Sequence, residues 1–211
     1  MPSAPIHPTS ASPLARAVYS FNRALMRQWH QVEVLSPCPI PTVGPGLVVC
    51  NHISWLDPAV IQSTCPRPIK FIMAQDMMNS VPGLAWMVRQ MDVIAVAGTA
   101  RDAASMRQAL SVLDAGGLVG IFPEGGLSRD GAFLPFQAGT GLLIKRSRVP
   151  VYPVAIEGTH RAKTGPGAYL IPKRAAVCWG KPMRFTTRAD AQQLTGLVEA
   201  AVHSIKPASV D

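Results

Sequence analysis

The chain has 211 residues, 48% of them hydrophobic, which is enough to fill one good core and implies a single domain. No apolar stretch approaches the roughly 18 residues needed to span a bilayer, so any membrane contact is made from the surface. A formal charge of +8 implies an acidic partner: nucleic acid, an anionic membrane or an anionic substrate.

Residues 1–12 are rich in Pro, Ser and Ala and are expected to be disordered. Residues 13–35 are then expected to form an amphipathic helix. Leu14, Val18, Phe21, Leu25 and Trp29 fall on one helical face, and Arg16, Arg23, Arg27 and His30 fall opposite. Such a helix either packs its apolar stripe on the core or lies in a membrane interface, where arginines meet anionic headgroups. A Pro- and Gly-rich loop, Ser36 to Gly46, leads into the α/β domain expected over residues 36–211.

Next comes the apolar run Leu47-Val48-Val49-Cys50, then Asn51-His52-Ile53-Ser54-Trp55-Leu56-Asp57, then Pro58. A strand ending in a turn before a helix leaves that turn at the carboxyl edge of a sheet, where ligands bind in open α/β folds. Pro58 suits the first helical position, placing Asp57 at the cap. A turn also brings His52 and Asp57 together better than a helix would, since five residues on a helix set side chains about 140° apart. A carboxylate beside an imidazole fixes its tautomer and makes a general base.

Beyond the turn, strands are expected at Ile69 to Ala74 and Val93 to Val96, then a helix capped by Asp102 and stopped by Gly116-Gly117. Leu118 to Phe122, Val151 to Ile156 and Ala175 to Trp179 read as further strands, and Gly139 to Arg146 as a helix. Ala191 to Ile205 makes the last helix, with Leu194, Leu197, Val198, Ala201 and Ile205 inward. This alternation predicts a single α/β domain: a central, largely parallel sheet flanked by helices, behind the amphipathic segment. Phe122-Pro123-Glu124-Gly125-Gly126-Leu127-Ser128 also leaves a strand, so it is expected at the same sheet edge as His52. Its glycines let backbone amides converge on an anion or oxyanion, with Glu124 and Ser128 flanking the concavity.

Asn51-His52-x4-Asp57, Phe122-Pro123-Glu124-Gly125 and Val149-Pro150-Val151-Tyr152-Pro153-Val154 resemble, in order and spacing, three of the four sequence blocks of the glycerolipid acyltransferases, the lysophosphatidate acyltransferase family. The resemblance covers roughly residues 14 to 185. It implies transfer of a fatty acyl group from an acyl thioester, on acyl carrier protein or coenzyme A, to a hydroxyl of a lysolipid in phospholipid biosynthesis or remodelling. It makes His52 the general base and Asp57 its support, and places a short amphipathic segment on the cytoplasmic face of the membrane without spanning it. Thioester alcoholysis calls for no metal and no redox cofactor.

The chain departs from that family at basic positions. Gly126 and Leu127 stand where the third block has threonine and arginine, and Gly98 where the second has arginine; Gln75 replaces a frequent lysine. Lys70, Arg101, Arg129 and Lys145 are candidates to rebuild a phosphate or headgroup site; otherwise the acceptor carries another headgroup, such as a lyso-aminolipid. Cys50 is the rival nucleophile, through an acyl-enzyme. The four cysteines, Cys38, Cys50, Cys65 and Cys178, form no paired motif and are expected reduced in a cytoplasmic protein. His7, His160 and His203 lack ligand spacing, so no metal is expected. Met73, Met77, Met78, Met87, Met91 and Met106 are expected to fill the core or line an acyl channel. Two other function classes compete with the enzyme. One is an inactive peripheral membrane protein that keeps the fold. The other is a nucleic-acid binder, disfavoured by the 6% aromatic content and the lack of a module.

Overall fold

In the computed structural model, which describes residues 13–74, 94–96, 103–128, 132–159, 166–185 and 189–205, helix α1 (Pro13–Ala24) leads into a π-helical turn, Leu25–Trp29. Strand β1 (Glu33–Ser36) follows, then β2 (Gly46–Cys50), α2 (Asp57–Thr64), β3 (Ile69–Ala74) and β4 (Ile94–Val96). Beyond them come α3 (Ala103–Asp114), β5 (Leu118–Ile121), α4 (Gly139–Ser147), β6 (Val151–Glu157), β7 (Ala176–Trp179) and α5 (Ala191–Ser204). The strands form one sheet in the order β1-β7-β6-β2-β5-β3-β4. It is parallel except where β7 runs against β6.

The near-continuous apolar runs of β2, β5 and β6 are buried along their whole length, as strands covered on both faces must be. On one face Val48, Cys50, Phe71 and Val154 pack with Ala59, Val60 and Ile61 of α2 and with Met26. On the other, Leu47, Val49, Val119 and Ala155 pack with Leu113, Leu143, Leu194 and Val198 from α3, α4 and α5. The result is the expected α/β sandwich. Helix α5 opens with a capping box: the Gln193 N–H donates to Asp190 Oδ1 (2.7 Å) and the Asp190 N–H to Gln193 Oε1 (3.2 Å).

The amino-terminal segment departs from its expected form twice. Helical backbone stops at Trp29, and residues 33–36 form edge strand β1 beside β7 instead of continuing the helix to 35. The face turned inward is Tyr19, Asn22, Met26 and His30, with the Asn22 side-chain amide donating to the Ala59 carbonyl of α2 (3.0 Å). His30, expected on the basic outer face, is fully buried, and three of the five stripe residues are left outside, Leu14 49%, Phe21 61% and Trp29 47% exposed, while Val18 and Leu25 are half-buried. In α5, Leu197 likewise faces solvent, and Thr195 and Val202 take inward places. The expected disordered residues 1–12, together with Gln75, Gly98, Arg101, Arg129, His7, His160 and four methionines (Met77, Met78, Met87, Met91), lie outside the described residues.

Candidate active site

Three neighbouring parallel strands deliver the site. Val49 of β2 pairs with Ile121 of β5, and Cys50 with Val154 of β6. Their carboxyl ends therefore lie at one edge, and the His52 turn, the Phe122–Ser128 bend and the Gly158-Thr159 turn leave it side by side. Asn51 fastens the first of these: its amide donates to the Ile156 carbonyl (2.9 Å) and accepts the Ile156 N–H (2.8 Å), replacing a rung of the ladder.

Asp57 is the first residue of α2 and is fully buried. Its carboxylate turns back instead of capping the helix ahead. Oδ2 accepts the Ile53 N–H (2.7 Å), the Ser54 N–H (2.8 Å) and His52 Nδ1 (3.0 Å). Because the carboxylate is the acceptor, Nδ1 carries the ring proton and Nε2 keeps its lone pair when the imidazole is neutral. Nε2 has no partner among the described residues, and the His52 side chain is 12% exposed. Phe122 stacks on the ring at 4.1 Å, backed by Phe71 at 5.7 Å from Phe122.

The glycine bend holds His52 by both main-chain groups. The His52 N–H donates to Glu124 Oε1 (3.0 Å), and the Ser128 N–H donates to the His52 carbonyl (2.9 Å). Glu124 Oε2 also accepts the Leu134 N–H (3.4 Å). Burial, strengthened by the Asp57 and Glu199 charges, pushes the Glu124 carboxyl up to about 7 against the pull of those two amides. Of the amides expected to meet an oxyanion, those of Gly125 and Ser128 are already given to Phe122 and His52. The amides of Gly126 and Leu127 have no acceptor among the described residues, and Gly126 is exposed.

Other expected site residues lie elsewhere. Lys70 is level with Val119 and hence with Leu47, five residues and about 16 Å up the strand from His52. Lys145 is on the exposed side of α4. Arg16, Arg27 and Trp29 are exposed and Arg23 half-buried on the amino-terminal helical segment. Cys50 points into the core, where burial, with the Asp57 and Glu124 charges, pushes its thiol well up. Two contributors escaped the sequence reading: the stacking ring of Phe122, and Thr159, whose hydroxyl donates to Asp57 Oδ1 at 2.7 Å. Nothing local marks Thr159, which is 102 residues from its partner.

Residues 31–157 match the family model described as Acyltransferase. The chain is 30% identical over 130 residues to the acl-2 protein of Caenorhabditis elegans, covering 60% of this chain and 46% of that protein. It is 28% identical over 149 residues to the 1-acyl-sn-glycerol-3-phosphate acyltransferase BAT2, chloroplastic, of Brassica napus, covering 69% of this chain and 42% of that protein. It thus spans under half the length of either relative. The crystal structure of the 1-acyl-sn-glycerophosphate acyltransferase PlsC from Thermotoga maritima superposes with a TM-score of 0.73 at 24% identity, over 91% of this chain and 78% of that one, a likeness of fold.

Proposed function

The chain belongs to the acyltransferase family, and on that premise we propose that it moves a fatty acyl group from an acyl thioester to a hydroxyl of a lysoglycerolipid, as its relatives' names describe for 1-acylglycerol-3-phosphate. The observation that carries this reading is His52, with Nδ1 on Asp57 at 3.0 Å and Nε2 without a partner among the described residues, beside the Gly126 and Leu127 amides, which have no acceptor among those residues, at the same sheet edge. Nε2 takes the proton of the lipid hydroxyl as its oxygen attacks the thioester carbonyl. The Gly126 and Leu127 amides receive the developing oxyanion; the C–S bond then breaks, and the carrier thiolate leaves as a thiol with the proton that Nε2 had taken. The donor is acyl carrier protein or coenzyme A carrying the acyl chain. No cofactor enters the step.

The protein acts lying on an anionic membrane. Leu14, Phe21 and Trp29 stand exposed on a helix that also bears Arg16, Arg23 and Arg27, which suits insertion among headgroups of the cytoplasmic leaflet. No helix of the described residues is long and apolar enough to cross a membrane.

Leu127 favours a second reading of the acceptor. Where the resemblance calls for arginine it offers no charge-assisted contact to a phosphate monoester, and Lys70 lies about 16 Å off along its strand, so a lyso-aminolipid or a lysophospholipid diester fits as well. Purified protein given mixed lyso-acceptors and labelled acyl thioesters, with products read by mass spectrometry, tests both readings. His52→Ala is expected to lower product by about 10²–10⁴-fold while the fold is kept. Product formed at the wild-type rate by a folded His52→Ala protein would end the general-base mechanism.

A further inference from the structure

Asp57 uses its two oxygens unequally. Oδ2 takes His52 Nδ1 and the Ile53 and Ser54 amides, all from its own turn, whereas Oδ1 takes only the Thr159 hydroxyl, at 2.7 Å, among the described residues. Both Asp57 and Thr159 are fully buried, so water does not compete for that bond. Thr159 comes from the turn that follows a different strand, β6. It follows Gly158, which ends β6 at φ +88°, and a Cβ on Gly158 would run into the Arg174 carbonyl. The chain can therefore turn toward Asp57 at that point only with glycine.

We propose that Thr159 is a positioning residue for acyl transfer, holding Asp57 so that one oxygen stays aimed at His52 Nδ1. A carboxylate is a two-fold rotor about its Cβ–Cγ bond. Three donors gather on the Oδ2 side, and without a fourth the buried Oδ1 is unsatisfied. The carboxylate then turns to share the Ile53 and Ser54 amides between both oxygens, and the ring loses its partner. The Thr159 hydroxyl has one proton to give, and its β-branched side chain has few rotamers, so it pins the carboxylate plane from outside the turn.

The inference rests on His52 being the base, so one readout is independent of turnover. Thr159→Val keeps the shape and loses the donor; Thr159→Ser keeps the donor. In Thr159→Val, kcat is expected to fall about 10- to 100-fold, the scale of a lost hydrogen bond to a charged group. KM for both substrates is expected to stay within about twofold, because Thr159 is fully buried behind Asp57. Thr159→Ser is expected within about threefold of wild type. In an Asp57→Asn background, Thr159→Val is expected to change kcat less than about twofold, since its effect passes through Asp57. By NMR, the His52 Nδ1–H proton signal is expected to shift or broaden in Thr159→Val and not in Thr159→Ser, whatever the turnover. If valine does not fold, Thr159→Cys, with its weaker donor, is expected to change both readouts in the same direction. Wild-type kcat in Thr159→Val, serine as damaging as valine, or losses that multiply with Asp57→Asn would overturn the proposal. An unchanged His52 signal in Thr159→Val would do so even if His52→Ala showed the general-base reading to be wrong.

Discussion

The Glu124 carboxylate accepts the backbone N–H of His52 at 3.0 Å, a bond between two turns 72 residues apart. With the Ser128 N–H on the His52 carbonyl, it ties the whole peptide framework of His52 to the glycine bend. The imidazole is thus held at its backbone by the bend, at Nδ1 by Asp57 and on its face by Phe122. Glu124 is here a clamp on the His52 turn, since both its oxygens face amides.

That clamp makes stability depend on pH. Burial raises the Glu124 carboxyl to about 7, whereas in the unfolded chain it loses its proton near the ordinary value of about 4.3. Between those two values the folded protein holds a proton that the unfolded chain has lost, so stability from this group falls as pH rises and levels off above about 7. Glu124→Gln is expected to remove that part of the slope. Denaturant unfolding at pH 5, 6, 7 and 8 measures it; identical slopes in wild type and Glu124→Gln would show that the carboxyl titrates normally.

Cys50 is a packing residue, and its replacement separates that role from covalent catalysis. The thiol lies in the core below the turn, where burial and two neighbouring carboxylates oppose the thiolate that an acyl-enzyme needs. Cys50→Ala is expected to keep turnover within about threefold and to cost about 1 kcal/mol of stability, the scale of a small buried deletion. In a chain of this size that lowers Tm by about 2–4 °C. A folded Cys50→Ala protein with no turnover would instead favour the covalent route.

What the sequence made legible is what local pattern encodes. The apolar runs of β2, β5 and β6 reveal central strands because both faces are covered, and the two turns at their ends follow from parallel pairing. Strand β1 escaped because Glu33, Val34 and Leu35 are exposed at the sheet edge and so show neither alternation nor an apolar run. The inward face of α1 escaped for another reason. A polar contact, Asn22 to the Ala59 carbonyl, helps dock the helix and leaves the more apolar face out. The sequence places Asp57 both at the cap and beside His52; its carboxylate meets His52 Nδ1 but serves amides upstream of the helix instead of capping it. Contacts such as Phe122 on His52 depend on strand order, which pattern alone does not fix.

Gly125 is where the bend tolerates least change. Its φ of +69° disfavours any side chain, and a Cβ there would collide with the Gln137 side-chain amide. Gly125→Ala is expected to destabilise the protein by about 1–3 kcal/mol. It should also slow turnover, because Glu124 and the Gly126 amide move with the bend. Adding Gln137→Ala relieves the collision and leaves the backbone strain, so the double variant should recover part of the stability. Full recovery in thermal melts would mean that the left-handed backbone carries no penalty.

The two faces of the amino-terminal helix should answer mutation in opposite ways. Phe21 and Trp29 are exposed, so Phe21→Asp and Trp29→Asp are expected to leave Tm nearly unchanged, as surface substitutions do within about 0.5 kcal/mol. Each removes an apolar anchor worth about 1.5–3 kcal/mol once buried in lipid, which corresponds to about 10- to 100-fold weaker partitioning onto vesicles. Arg16→Gln and Arg27→Gln should weaken binding to anionic vesicles by about 1 kcal/mol each and leave neutral vesicles unaffected. Met26 faces inward and is fully buried, so Met26→Ala is expected to cost about 2–5 kcal/mol of stability. Its vesicle affinity should stay as in wild type wherever the protein remains folded. Sedimentation with anionic and neutral liposomes, alongside thermal melts, reads both effects. Should Phe21→Asp and Trp29→Asp sediment with anionic liposomes as wild type does, the exposed stripe is not the membrane contact.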